Sequence, residues 1–103
     1  MSDSLQLHIT WDAVKAHTNQ AKHGVAFADA ATVLLDPLAL TVYDPEHSRD
    51  EERWFTLGSS SQGKLLAVSH TYQHSGPIHV QVRIISARPA TPHQRRQYEN
   101  EPR

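Results

Sequence analysis

The sequence contains no cysteine among its 103 residues. That absence excludes disulfides, thiolate metal sites and a cysteine nucleophile. No apolar run approaches the roughly 20 residues that a transmembrane helix requires. The first residues, Met1-Ser2-Asp3, lack the basic and apolar regions of a signal peptide. We therefore expect a cytoplasmic protein without disulfides or a membrane anchor.

Motifs for several enzyme classes are also missing. There is no P-loop and no dinucleotide fingerprint, and Ser59-Ser60-Ser61 is typical of a turn with no nucleophile-elbow motif around it. His70 and His74 are four residues apart, but they fall at a predicted strand end and in a turn, whereas ligands at that spacing require a helix. The sequence therefore predicts neither a metal site nor a cofactor.

The composition fits one small globular domain, since 38% of the residues are hydrophobic and 20% are charged. We expect this domain to span residues 1–103, with frayed ends at about 1–5 and 100–103. The formal net charge of −1 conceals an asymmetry. Residues 1–52 carry three Lys or Arg and nine Asp or Glu, whereas residues 53–103 carry seven and two. This asymmetry suggests a charged partner, unless the two halves intermix in the fold.

Capping residues mark the predicted helices. Asp12 is the N-cap of a first helix, and Gly24 stands where a left-handed residue would end it. A second short helix follows, with apolar residues at helical spacing, and it ends before Pro37. Thr91 and Pro92 fit the N-cap and first position of a final helix.

Alternating apolar residues predict a short first strand before Asp12 and four later strands over residues 38–45, 53–59, 64–72 and 78–87. Short turns join the later strands, which predicts an antiparallel meander. In the last strand, Ile84 belongs to the apolar side, while Arg83 and Ala87 belong to the other. The order β-α-α-β-β-β-β-α predicts an α+β domain with a mainly antiparallel sheet packed against helices.

Three stretches of this sequence resemble BrnT-type toxins. They are "WDAVKAHTNQAKHGVAFADAATVLLDPLAL", "DPEHSRDEERWFTLGSSSQGKLLAVSHT" and "RIISARPATPHQRRQY". The resembling motifs are W-D, N-x-x-K-H-G and D-P in the first stretch, D-x-x-H-S and E-E-R in the second, and R-I-I-S-A-R and R-R-x-Y in the third. They occur in the family's order and cover roughly residues 9–99.

This resemblance implies a RelE-like fold and a ribonuclease toxin of a type II toxin–antitoxin system. It also implies a hetero-oligomer with a BrnA-type antitoxin that carries a ribbon-helix-helix domain, so that the complex represses its own operon and contacts DNA only through the antitoxin. The sequence departs from the family pattern at Pro89, Pro92, His93 and Gln94. These departures remove basic residues and one glutamate, so Gln94 cannot act as an acid or base.

Metal-free cleavage of RNA requires a base for the 2′-OH proton, a cation for the charge on the phosphorane, and an acid for the leaving 5′-oxygen. Arginine suits the second role because its fork can bind two phosphate oxygens. Arg83 is the first candidate, since it lies on the polar side of an apolar strand; a salt bridge to Glu52 is the alternative. Arg53 is a second phosphate ligand or a partner in a cross-strand ion pair. Glu52 is a base, or it orients an arginine.

Lys22 and His23 are the remaining catalytic candidates. They end the first helix, and histidine titrates close enough to neutral pH to transfer protons. The same pair fits a structural role, because cations at a helix C-terminus interact favourably with the helix dipole.

The C-terminal part of the chain supplies the candidate RNA ligands Arg88, Arg95, Arg96 and Tyr98. Arg88 could instead pair with the final helix or face solvent. Arg95 and Arg96 point about 100° apart, so one contacts RNA or the antitoxin and the other faces solvent. Tyr98 stacks on a base or packs the helix on the sheet. We expect guanidinium groups from the last strand and helix to converge on one hollow that fits a ribose–phosphate chain.

Two functions fit these observations. The first is a metal-independent endoribonuclease toxin that arrests growth until an antitoxin neutralises it. The alternative is a non-catalytic subunit that docks the antitoxin and assists autorepression, which the altered segment "PATPHQ" favours. A plain DNA-binding domain lacks support, because no helix-turn-helix or zinc signature is present.

Overall fold

The computed structural model describes residues 5–102, in which the chain forms helices on both faces of one sheet. The helices are α1 (Ala13–His23), α2 (Phe27–Val33) and α3 (Pro92–Asn100). The strands are β1 (Gln6–Trp11), β2 (Leu40–Tyr43), β3 (Trp54–Ser59), β4 (Leu65–His70), β5 (Gln73–His74) and β6 (His79–Pro89). The order agrees with the predicted β-α-α-β-β-β-β-α, with the short β5 and a 3₁₀ turn, Pro45–His47, as additions. Of the ends predicted to fray, residues 1–4 and 103 lie outside the described residues, while Asn100 is the last residue of α3.

The sheet has the strand order β1-β6-β4-β3-β2, and β5 pairs with β6 beside this path. The antiparallel pairs β2–β3, β3–β4 and β4–β6 agree with the predicted meander. β1 instead lies parallel to β6, with Gln6 opposite His79 and Trp11 opposite Ile84. The sequence pattern did not predict this pairing, which makes the sheet mixed and places β6 between β1 and β4.

The predicted helix caps are present. The Asp12 carboxylate accepts a hydrogen bond from the backbone N–H of Lys15 at 2.9 Å, and Gly24 has a left-handed φ of 71°. Thr91 forms a capping box with Gln94 at the start of α3. Local side-chain chemistry therefore defines where α1 and α3 begin. No helix in the described part of the chain is long and apolar enough to cross a membrane.

The two faces of the sheet are covered differently. α1 and α2 pack on one face, where the main apolar core lies. That core comprises Val25, Phe27, Ala30, Val33, Leu66, Val68, Ile84 and Ala87. On the other face, a smaller cluster around Leu57, Leu65 and Ala67 packs against Ala90 and Tyr98. α3 therefore covers only part of this second face, and we call the part that α3 leaves uncovered the open face.

A β-bulge in β6 corrects one prediction about side-chain orientation. Ser69 pairs with Ser86, but the next residue of β4, His70, pairs with Ile84, so Ile85 is an extra residue. The predicted placement of Ala87 on the side of Arg83 is therefore wrong: Ala87 is fully buried in the main core beside Ile84. The same bulge turns Arg88 away from α1 and α2 and toward the open face, where it contacts Gln94 of α3.

Two strand boundaries also differ from the predictions. Leu38 precedes β2, because its backbone N–H donates to the Asp36 carboxylate at 2.9 Å in the turn after α2. β6 runs from His79 to Pro89 and so starts one residue later and ends two residues later than predicted. Its last residues extend to the start of α3.

Candidate functional site

The open face contains a cavity of about 330 Å³. Its floor is a row across three strands, in which Phe55 pairs with Ser69 and Ser69 pairs with Ser86. Arg53 borders this row from the segment just before β3, and Arg88 borders it from β6. The remaining lining residues are Asp44, His47, Ala67 and Ile85. The cavity thus combines two guanidinium groups with a histidine and a carboxylate over a floor of small and aromatic side chains.

His47 and Asp44 form a hydrogen-bonded pair at the rim of this open-face cavity. His47 Nδ1 lies 2.8 Å from the Asp44 carboxylate, so Nδ1 carries the proton in this contact and Nε2 keeps its lone pair when the ring is neutral. Ser48 supports the turn by donating to the Asp44 carbonyl at 2.6 Å. The carboxylate therefore orients a histidine that can accept a proton, an arrangement used in general-base catalysis.

Arg53 enters the cavity from a firmly held backbone. Its N–H donates to Ser48 Oγ at 2.9 Å, and its carbonyl accepts from the Asp44 N–H at 2.9 Å. The side-chain Nε is buried and has no hydrogen-bond partner among the described residues. Unsatisfied buried polar atoms are rare in folded proteins; the others among the described residues are Asp29 Oδ1 and Trp54 Nε1, and of the three residues only Arg53 lines the cavity.

Arg88 is oriented by a neutral side chain. Its Nη1 donates to Gln94 Oε1 at 3.1 Å, and the same Gln94 oxygen accepts from the Thr91 N–H at 2.9 Å in the capping box. Because Gln94 stands where the resembled family often has glutamate, Arg88 is positioned without being neutralised. No ion pair within residues 5–102 involves Arg88 or Arg53, so both keep their charge for a ligand.

Arg83 and Glu52 lie apart from this cavity. Arg83 pairs with Glu51, rather than with Glu52 as the alternative interpretation expected. Glu52 lines a separate acidic hollow of about 280 Å³ with Glu51 and Tyr72. The expected convergence of guanidinium groups from the last strand and helix is therefore wrong: of these groups only Arg88 lines the cavity, and its neighbour there is Arg53, from the segment before β3. The catalytic roles predicted for Arg83 and Glu52 stay predictions.

Lys22 and His23 line a groove next to the cavity, which we call the α1 groove. Ile85 and Ser86 line both hollows. Asn19 fixes α1 at this position: its amide donates to the Ala87 carbonyl at 2.8 Å and its Oδ1 accepts from the Ala87 N–H at 3.1 Å. The asparagine of N-x-x-K-H-G therefore joins α1 to β6 and places Lys22 and His23 beside the cavity.

The candidates on α3 have varied surroundings. Arg95 lies 3.9 Å from Glu99 in an exposed ion pair. Arg96 lines a shallow surface hollow on α3 that shares no residue with the cavity. The Tyr98 hydroxyl donates to the Asp36 carboxylate at 2.6 Å, and its ring packs on the smaller cluster. The contacts of Tyr98 dock α3 on the rest of the fold. The predicted RNA contacts of Arg95, Arg96 and Tyr98 stay predictions.

His70 lies on the opposite face of the sheet and has a different environment. It is 1% exposed; Nδ1 donates to the Thr71 carbonyl at 2.8 Å, and Nε2 accepts from Thr56 Oγ1 at 2.6 Å. Burial lowers the pKa of His70 below the ordinary 6.5, although the hydrogen bond to Thr71 acts in the opposite direction. The ring is therefore neutral near pH 7, and both its nitrogens are engaged.

The described residues contain no group of three or more His, Asp or Glu side chains that could hold a metal ion. His70 and His74, the pair considered in the sequence, differ in surroundings. His70 is buried on β4, whereas His74 is exposed on β5 and stacks edge-on against Tyr72.

Sequence reasoning missed His47 and Asp44. The segment "DPEHSRDEE" has the composition of a polar loop and contains the D-x-x-H-S motif of the resemblance, but neither the aspartate nor the histidine was given a role. The available signal was the spacing of three between Asp44 and His47, which the 3₁₀ turn converts into side-chain contact.

Comparisons with known proteins identify the family to which the chain belongs. The family described as ribonuclease toxin, BrnT, of type II toxin-antitoxin system matches residues 11–94. The crystal structure of the Brucella abortus ribonuclease toxin BrnT aligns with a TM-score of 0.57 and 27% identity, over 84% of this chain and 99% of that one. No curated protein sequence matches. The predicted α+β class is confirmed, and the chain belongs to the BrnT family of ribonuclease toxins of type II toxin–antitoxin systems.

Proposed function

We propose that this toxin cleaves RNA in the open-face cavity without a metal ion, using the 2′-OH of the substrate as nucleophile. The observation that carries the proposal is the meeting of the Asp44–His47 pair with the unneutralised Arg53 and Arg88 in one cavity. These groups match the needs of the reaction, because a base must take the 2′-OH proton and cations must stabilise the phosphorane.

In the proposed reaction, His47 Nε2 accepts the proton of the 2′-OH while Asp44 holds the ring through Nδ1. The 2′-oxygen attacks the neighbouring phosphorus, and Arg53 and Arg88 bind the non-bridging oxygens as their charge grows. The bond to the 5′-oxygen then breaks, which leaves a 2′,3′-cyclic phosphate on one product. The departing oxygen takes a proton from His23, which lies across Ser86 from the cavity.

The other predicted residues act around this centre in the proposal. Lys22 adds positive charge beside His23. Glu52 flanks the site from the acidic segment that precedes β3. Arg83 flanks it from β6, and the charge of Arg83 is offset by Glu51. Arg95, Arg96 and Tyr98 contribute to RNA or antitoxin contacts from α3.

The proposed partner is a BrnA-type antitoxin with a ribbon-helix-helix domain, in a complex that represses its own operon. The outer edge of β2 offers one docking surface, since β2 pairs only with β3 and the side chains of Val42 and Tyr43 are exposed. An extended antitoxin segment could add a strand there. Pull-down of the antitoxin by the wild type and by Val42→Lys would test this surface.

The proposal is tested by incubating purified protein with single-stranded RNA in excess chelator. We expect cleavage, and we expect Arg53→Ala to abolish it while the folded state persists in circular dichroism. Cleavage that appears only when Mg²⁺ is restored would contradict the metal-free reaction.

One observation favours the non-catalytic alternative. Gln94 replaces a carboxylate that the family often carries, and it contacts Arg88 directly. If expression of the chain leaves growth normal and RNA stays intact while the antitoxin still binds, the docking subunit is the better description.

A further inference from the structure

The α1 groove has the surface chemistry of a nucleotide-binding site. One wall is a single face of α1, because Lys15, Thr18 and Lys22 follow the i, i+3, i+7 spacing. The opposite wall is Ile85 with Ser86, and the groove encloses about 240 Å³. Val14, which is 73% exposed, adds apolar surface. A nucleotide requires an apolar surface for its base and positive charge for its phosphate, and the groove offers both.

The bulge in β6 opens this groove into the cavity. β1 pairs with β6 only as far as Ile84, and β4 pairs again from Ser86 onward. Ile85 consequently pairs with neither neighbouring strand, and it lines both the α1 groove and the open-face cavity. A polymer leaving the cavity across Ser86 therefore enters the α1 groove without crossing another element.

The charged residues on the two sides of the cavity favour one path for such a polymer. Neither Lys15 nor Lys22 forms an ion pair with a carboxylate among residues 5–102; Asp12 contacts only the backbone of Lys15 in the contacts described. Beyond the opposite side of the cavity, one hollow is lined by Asp50, Glu51 and Glu52 without a basic residue, and a second mixes acidic residues with Arg49 and Arg53. The charged side chains of the α1 groove are all cationic, so they attract a polyanion more strongly than those hollows do.

We propose that the RNA strand flanking the cleaved bond runs across Ser86 into the α1 groove, where Lys15 and Lys22 hold a phosphate and the base lies on Ile85 and Val14. This subsite rests on the proposed ribonuclease function and adds Lys15 and Thr18 to its RNA-binding surface. An acidic antitoxin segment has similar charge, but the shared lining residues connect the groove with the RNA cavity and so favour RNA.

Lys15→Gln tests the subsite, with Lys64→Gln as the matched control in the turn before β4 and Lys15→Arg as the conservative variant. The probes are an all-2′-deoxy strand of about twelve nucleotides, which cannot be cleaved, and a dinucleotide. Two quantities are measured. The first is the affinity for the longer strand divided by the affinity for the dinucleotide, and the second is the dependence of the longer strand's affinity on salt concentration.

We expect Lys15→Gln to lower the affinity ratio roughly three- to tenfold and to reduce the slope of log K against log salt by about 0.7. Lys15→Arg should retain the wild-type values, and Lys64→Gln should match the wild type. An unchanged ratio and slope in Lys15→Gln would overturn the subsite, as would a loss of antitoxin binding with unchanged RNA binding.

The same measurements separate this subsite from the ribonuclease function. If wild type fails to cleave RNA but Lys15→Gln still lowers the affinity ratio, the reaction is refuted and the RNA path stands. If wild type cleaves RNA in chelator and Lys15→Gln has no effect, the RNA path is refuted and the reaction stands.

Discussion

Two polar clusters on opposite faces of the sheet have different surroundings. On the face covered by α1 and α2, His70 is buried with both nitrogens hydrogen-bonded, to Thr56 and Thr71. On the open face, Arg53 and Arg88 line a cavity without an ion pair among the described residues, and Arg88 is held only by neutral groups. Polar groups that are satisfied internally stabilise the fold, whereas cations without a counterion in a cavity can bind an anionic ligand. We therefore expect His70 to serve stability and the open face to serve the reaction.

The largest expected effect is on the reaction. His47→Ala should reduce RNA cleavage by about 10²- to 10⁴-fold, because it removes the proposed base. The melting temperature should change little, since the His47 side chain is 63% exposed. His17→Ala, an exposed histidine on α1, is the control and should cleave at the wild-type rate. Equal cleavage by His47→Ala and His17→Ala would remove His47 from the mechanism.

The two arginines of β6, Arg83 and Arg88, should contribute unequally to the rate of RNA cleavage. Arg88→Ala should lower cleavage by about 10²- to 10³-fold, as expected for loss of a donor to the transition-state charge. Arg83→Ala should lower it by less than about tenfold, because Glu51 already offsets its charge. Single-turnover cleavage rates of both variants measure the difference. The reverse order would move the reaction centre from the open-face cavity toward Arg83.

A substitution on the face covered by α1 and α2 should instead change the stability of the fold. His70→Ala removes a buried ring and leaves the hydroxyl of Thr56 without its present acceptor, so we expect a loss of about 2–4 kcal/mol in the free energy of unfolding. Urea denaturation measures this loss. Cleavage at a temperature where the variant is still folded should stay near the wild-type rate, and a large decrease there would show that His70 serves the reaction.

A smaller effect concerns pH. Burial lowers the pKa of His70 in the folded state below 6.5, so the unfolded chain binds more protons at this position in mildly acidic solution. The contribution of His70 is therefore constant well above pH 6.5 and is lost as the pH falls below that value, by at most about 1.4 kcal/mol per pH unit. Urea denaturation between pH 8 and pH 5 should show a shallower decline for His70→Gln. Identical pH profiles of the unfolding free energy for the wild type and His70→Gln would contradict a lowered pKa of His70 in the folded state.

The sequence predicted features that depend on local chemistry. Asp12, Gly24 and Thr91 act as caps because each contact lies within a few residues. The meander was predictable because short turns favour antiparallel neighbours.

The rest depends on contacts between distant segments. The bulge at Ile85 has no local signal, because an isoleucine continues an apolar strand equally well with or without it. Yet this one residue decides that Ala87 is buried and Arg88 faces the cavity. The pairing of β1 with β6 and the ion pair of Arg83 with Glu51 likewise join residues far apart in sequence. Residue type alone therefore singled out Arg53 and Arg88 of the cavity, but the sequence did not predict that they lie together with Asp44 and His47.

The proposed reaction of the open-face cavity uses the substrate's own 2′-OH as nucleophile. It is tested with an oligonucleotide that has a single 2′-deoxy residue at the mapped cleavage position, incubated with wild-type protein in chelator. We expect the all-RNA strand to yield a 2′,3′-cyclic phosphate end and the substituted strand to stay intact at that position. Cleavage of the substituted strand at the same bond would show that the 2′-OH is not the nucleophile.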